Sequence, residues 1–183
     1  MRKILISIKP KWVKKILNGE KTLEIRKTAP KCELPCEVYI YCTKENAKYF
    51  IDNKIYNAMM NGKVVAKFTL NKVSKILSML YGADEDECAR EHCYETRELD
   101  SDELLKRSCL TYEQMRSYLG CLDDEVGYAW HIDHLVPFDR PKELKEFEFP
   151  NPSGIRYIGQ RAIKGLPIEK RAPQSWCYCE VDE

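Results

Sequence analysis

Six short runs rich in β-branched and aromatic residues, at 3–8, 21–26, 37–43, 63–73, 127–138 and 174–181, are joined by connections of very unequal length. Such spacing suits a small closed or half-closed β-barrel better than a sandwich of regular hairpins. An early helix and a helix-forming stretch in the middle make the expected class α+β. The 183 residues, 44% of them hydrophobic, suffice for one domain with a sizeable insertion.

The order of elements follows from local signals. Lys3 to Ile8 is β-rich, and Pro10 suits the first turn of a helix. Trp12, Val13, Ile16 and Leu17 recur at helical spacing until Asn18-Gly19 supplies a stop. From 21 to 26 the pattern alternates, with Leu23 and Ile25 on one face and Thr22, Glu24 and Arg26 on the other. Residues 28–36 read as a loop, 44–60 as a helix, and 63–73 as one long strand. Residues 83–125 turn acidic and poor in β-branched side chains, and are expected to be a helical insertion. Within them Thr111 and Gln114 have the spacing of a capping box. Residues 127–138 return to strand character, and 139–173, with five prolines, read mostly as loop.

Thirty basic and 29 acidic residues leave a net charge of +1, so a whole-molecule electrostatic grip on nucleic acid is not indicated. A nucleic-acid site would have to be a local basic patch. No apolar run approaches the roughly 18 residues of a membrane span, and the N-terminal apolar stretch is too short for a secretory signal. Nine cysteines without an export signal point to reduced thiols and a cytoplasmic location. Cys32-x3-Cys36 and Cys177-x-Cys179 are the tight pairs, and neither has zinc-finger spacing. Cys88 and Cys93 flank His92 on an expected helix, which gives half a metal site at most. No metal and no cofactor are expected.

The segment Ile6-Ser7-Ile8-Lys9-Pro10, Trp12, and then Gly19-Glu20-Lys21-Thr22-Leu23-Glu24-Ile25-Arg26 resembles the ASCH domain, whose mark is G-x-K-x-x-E-x-R after the first helix. Gly19, Lys21, Glu24 and Arg26 fill all four positions. Tyr128-Ala129-Trp130-His131-Ile132 and Pro173-Gln174-Ser175-Trp176 look like later strands of ASCH proteins found in bacteria and their phages. The resemblance covers 1–80 and 126–183, and makes 1–183 a single ASCH domain interrupted at about 83–125. It implies a PUA-like β-barrel whose relatives bind RNA or modified bases. One small branch hydrolyses N4-acetylcytidine with a lysine, a threonine and a glutamate, and other relatives are described as ribonucleases. Lys21 matches that lysine, but the threonine position is occupied by Glu24, and no equivalent of the glutamate is identified.

The motif has a physical reading of its own. Glu24 and Arg26 lie two apart on a strand, about 7 Å from one another on one face, and Lys21 enters from the turn. A carboxylate there can accept from base amino groups, and the two cations can hold phosphate. Lys9 leaves the first strand near the same end, while Tyr41 and Trp176 are candidate stacking residues. Glu24 and Arg26 equally suit a plain ion pair closing the barrel end. Trp12 and Trp130 sit on apolar faces and read as core.

For an enzyme, Lys21, Glu24 and His131 are the candidate acid-base groups around one cleft. A strand histidine such as His131 is equally at home as a hydrogen-bonded structural residue. Ser175 could serve as a nucleophile only with a base beside it. Arg156, Arg161, Lys164, Lys170 and Arg171 form a basic stretch that could track a phosphate backbone or simply be solvated. Three functions therefore stand: an RNA- or nucleotide-binding domain, an enzyme acting on RNA or a modified nucleoside, and an adaptor docking a protein through the insertion. For the last, Leu104, Leu105, Cys109, Met115 and Leu119 offer an apolar face.

Overall fold

The structure is a computed structural model and describes residues 3–45, 60–81, 91–120, 124–148, 155–158, 161–164 and 172–181. The strands are β1 (Lys3–Ile8), β2 (Leu23–Arg26), β3 (Cys36–Cys42), β4 (Val64–Leu70), β5 (Val73–Tyr81) and β6 (Glu91–Glu95). They continue as β7 (Asp124–His131), β8 (Asp133–Lys142), β9 (Phe147–Glu148), β10 (Ile155–Ile158), β11 (Arg161–Lys164) and β12 (Trp176–Val181). Helices α1 (Pro10–Leu17), α2 (Ser101–Ser108) and α3 (Tyr112–Leu119) each have eight residues. The class is α+β, as expected.

The chain separates into two compact units, Met1–Pro10 with Glu37–Lys67 and Val136–Glu183, and Lys11–Cys36 with Phe68–Leu135. The first unit is built on β1. It runs parallel to β3, with Ile4 opposite Val38, and antiparallel to β12, with Leu5 opposite Cys177. Ile4, Leu5, Ile6 and Ile8 are all buried, the pattern of a central strand covered on both faces. Leu5, Tyr39, Tyr41, Val64, Phe147 and Cys179 form its core, with the rings of Tyr39 and Phe147 edge to face at 5.3 Å.

The second unit holds the motif. An antiparallel sheet runs β2-β7-β5-β6. Leu23, Ile25, Ile76, Tyr94, Ala129, Leu104 and Met115 form its core, with Leu105, Leu110 and Leu119 packed against it. Helix α1 turns in its buried Val13 and Ile16. It ends at Gly19, whose φ of 76° belongs to a left-handed stop and whose N–H donates to Ile16 O at 2.9 Å. Gly127 in β7 is required for another reason. A Cβ there would lie 2.7 Å from Leu119 Cδ2 and 3.0 Å from the Arg26 carbonyl oxygen, so the bare backbone is what lets α3 close on the sheet.

Several expectations are corrected. Residues 63–73 are two strands, broken at Asn71-Lys72 and continued by β5 to Tyr81 in a different sheet. The 127–138 run breaks at Ile132, beyond which β8 extends to Lys142. The segment 83–125 is not purely helical: His92 and Cys93 lie in β6, which pairs with β5 from Leu77 opposite Glu95. Cross-strand pairing there overrides weak β-propensity. The stretch 139–173 carries β9, β10 and β11, the last two paired antiparallel. The capping box is present, with Thr111 Oγ1 accepting from Gln114 N–H at 3.3 Å. The expected helix at 44–60 lies almost wholly outside the described residues, as do Cys88 and the side chains of the basic stretch 156–171.

Candidate functional site

Strand β2 is buried on both faces. Leu23 and Ile25 enter the apolar core, so the alternating Glu24 and Arg26 are carried to the opposite face and are buried there too. Lys21, Glu24 and Arg26 are only 2%, 4% and 9% exposed. Glu24 joins the two cations: its Oε1 is 2.6 Å from an Arg26 guanidinium nitrogen and its Oε2 is 3.3 Å from Lys21 Nζ. Burial is the largest influence on Lys21 and lowers its pKa; Glu24 opposes this, and Arg26 adds to it. Glu24 Oε2 receives no hydrogen bond among the described residues.

Lys21 is held from a second side. Its Nζ donates to the Ser108 carbonyl at 2.6 Å, at the end of α2, where unpaired carbonyls and the helix dipole favour a cation. The same helix end is tied to the motif turn by Thr22 N–H to Arg107 O at 2.9 Å and Arg107 Nε–H to Thr22 Oγ1 at 3.1 Å. The Cys109 thiol donates to Glu20 O at 3.4 Å. The segment expected as a helical insertion thus fastens the motif. Ser108 and Arg107 were not identified from sequence, because nothing local connects residues 87 apart in the chain.

Trp12, expected as core, is half-exposed. Lys21 Nζ lies 5.4 Å and Lys11 Nζ 4.4 Å from its ring centroid. The helix spacing gave Trp12 the right side of α1, but the bulky ring reaches past the core to the motif lysine. Trp130 is core as expected, fully buried with its Nε1–H donating to Thr28 O at 3.3 Å.

The antiparallel register decides His131. Glu24 pairs with Trp130, whereas His131 pairs with Leu23, so His131 lies on the opposite face from Glu24 and Arg26. The expected single cleft of Lys21, Glu24 and His131 is therefore not formed by this sheet. His131 enters another cluster: its Nε2 is 3.0 Å from Ser74 Oγ, and Ser74 donates to Glu98 Oε2 at 3.3 Å. Glu98 is also paired with Lys72 at 3.2 Å. Burial first, then Arg107 and Lys72, hold the His131 pKa below the ordinary imidazole value, against the pull of Asp133 and Glu98.

The remaining candidates belong to the first unit. Tyr41 is buried in its core and its pKa is raised by burial, so its ring packs against apolar neighbours and is no open stacking surface. Trp176 is half-exposed, edge to face with Tyr178 at 5.6 Å. Lys9 is exposed directly after β1. Among the described residues no cluster of three or more His, Cys, Asp or Glu side chains is placed to hold a metal ion, and no helix is long and apolar enough to cross a membrane.

No protein-family model and no curated protein match the sequence. Solved structures do. The crystal structure of ASCH from Zymomonas mobilis superposes with a TM-score of 0.54 at 17% identity, over 96% of this chain and 86% of that one. A serine-to-alanine variant of the same protein gives 0.51 at 17% identity, over 96% and 87%. At that identity the likeness is one of fold, and it spans nearly the whole of both chains. The chain therefore has the α+β fold seen in the ASCH domain.

Proposed function

We propose that residues 1–183 form one ASCH-type domain that binds RNA or a nucleotide at the Lys21, Glu24 and Arg26 group, with Trp12 as the stacking surface. The observation that carries this is the accessible indole beside the motif lysine. The half-exposed Trp12 ring lies 4.4 Å from Lys11 Nζ and 5.4 Å from Lys21 Nζ, and Lys21 in turn is paired with Glu24 at 3.3 Å, so cations and a carboxylate stand behind one accessible aromatic ring. A purely structural ion pair needs no such ring beside it. A base stacked on Trp12 would present an amino group to Glu24, while its phosphate or carbonyl groups would draw on the cations.

The test is titration of labelled single-stranded RNA, and separately of free nucleotides, into wild type and Trp12→Leu. Trp12 is not fully buried, so its replacement should leave the fold intact while removing base stacking, worth about 1–3 kcal/mol per base. Weaker binding with an unchanged melting temperature is expected. Wild type that binds neither ligand, or a variant that binds as well, would remove the proposal.

The position of Lys21 Nζ between Glu24 and the Ser108 carbonyl, in a setting where burial lowers its pKa, favours a second reading, in which its amine acts as a base on a modified nucleoside or on RNA. Incubation with N4-acetylcytidine and with RNA, followed by chromatography, addresses it. Turnover lost in Lys21→Met would support catalysis. Equal turnover in both proteins would trace the activity elsewhere.

A further inference from the structure

Cys32 lies in the loop leaving β2 and Cys36, four residues on, opens β3; their sulfur atoms are 3.5 Å from one another. Two thiols in direct contact need little movement to join. They differ in access: Cys32 is half-exposed, whereas Cys36 is 1% exposed. They also differ in chemistry. Burial, then the hydrogen bond and the electrostatic influence of the neighbouring Cys32, push the Cys36 thiol up to about 12. Cys42 and Cys179 are likewise buried and pushed up to about 12, and neither has another cysteine sulfur as a hydrogen-bond partner among the described residues. Cys177 and Cys179 stand two apart on one strand, where an extended backbone holds their side chains parallel instead of turned toward each other.

We propose that Cys32 and Cys36 form a site of reversible oxidation, in which Cys32 reacts first with a hydroperoxide and Cys36 resolves it to a disulfide. In the first step the Cys32 thiolate sulfur attacks one peroxide oxygen. An S–O bond forms, the O–O bond breaks, and the departing oxygen takes a proton to leave as alcohol or water. In the second step Cys36 loses its proton as its sulfur attacks Cys32. The S–S bond forms, the S–O bond breaks, and water leaves. The two thiols lose two electrons in all, and the peroxide gains them. The exposed partner meets the oxidant and the buried one is kept from it, the division of labour expected of a peroxidatic and resolving pair.

The experiment treats the full chain with a limiting amount of hydrogen peroxide and reads intact mass and non-reducing peptide maps. Loss of two hydrogens, a peptide linking Cys32 to Cys36, and recovery of both thiols with a reductant are expected. In Cys36→Ser the intermediate has no resolving thiol, so Cys32 should be trapped as sulfenic acid by a carbon nucleophile. In Cys32→Ser the oxidation at this pair should be lost. Melting curves of both serine variants establish that they fold. A wild type in which another cysteine pair links first would overturn the proposal. So would a Cys36→Ser protein whose Cys32 stays reduced.

Discussion

Glu24 has a double duty that its position on a short strand conceals. As the shared partner of Lys21 and Arg26 it stands 3.3 and 2.6 Å from two buried cations. Replacing it with glutamine keeps the shape and one acceptor but removes the charge, so Glu24→Gln should lower stability by about 3–5 kcal/mol, as breaking a buried pair does. Denaturant unfolding measures this directly, and a loss under about 1 kcal/mol would mean that water or an anion compensates the cations. His131 gives a second prediction at this scale. Its folded pKa lies below its unfolded value, so between the two the unfolded chain binds the extra proton. Its contribution is therefore fully present above the ordinary imidazole value of about 6.5 and is lost as pH falls through the window below it. Stability curves at a series of pH values should show an acid limb that is shallower in His131→Asn, and identical limbs would place the titration elsewhere.

Among the elements, α2 and α3 set the clearest contrast between what is legible in a sequence and what is not. The capping box of Thr111 and Gln114, the stop at Gly19 and the alternation in β2 are local patterns, and each appears where the residues require it. The apolar face of Leu104, Met115 and Leu119 was equally legible, but a periodic stripe does not name what covers it. It is covered by the sheet of β2, β7 and β5: Leu104 and Met115 are fully buried beside Leu23, Ile25 and Ala129. That leaves the adaptor reading without its apolar surface. Pairing between distant segments was illegible for the same reason. Nothing near Glu24 indicates that Trp130 stands opposite it, or near Lys21 that the Ser108 carbonyl accepts its hydrogen bond. Leu104→Ala tests the packing. Such a truncation costs about 2–5 kcal/mol in a core that cannot collapse, and thermal unfolding should show it. A near-neutral result would return α2 to the surface and revive a docking role.

For the whole molecule the decisive quantity is its charge. Thirty basic against 29 acidic residues give a net charge of +1, so no long-range field gathers a polyanion. If RNA is held by a base in the motif site, the phosphates it neutralises are those within reach of Lys21 and Arg26, two at most. Each phosphate neutralised on single-stranded nucleic acid contributes about −0.7 to the slope of log affinity against log salt. Two give a slope near −1.4, which is about a sevenfold loss between roughly 50 and 200 mM salt. Fluorescence anisotropy with one labelled oligonucleotide across that range measures it. A shallow slope, together with weaker binding in Trp12→Leu, is the signature of recognition by base contact. A slope several times steeper cannot come from two cations. It would move the contact to a run of positive charge, for which the sequence offers Arg156, Arg161, Lys164, Lys170 and Arg171. The buried triad would then be left as the structural tie between β2 and the end of α2.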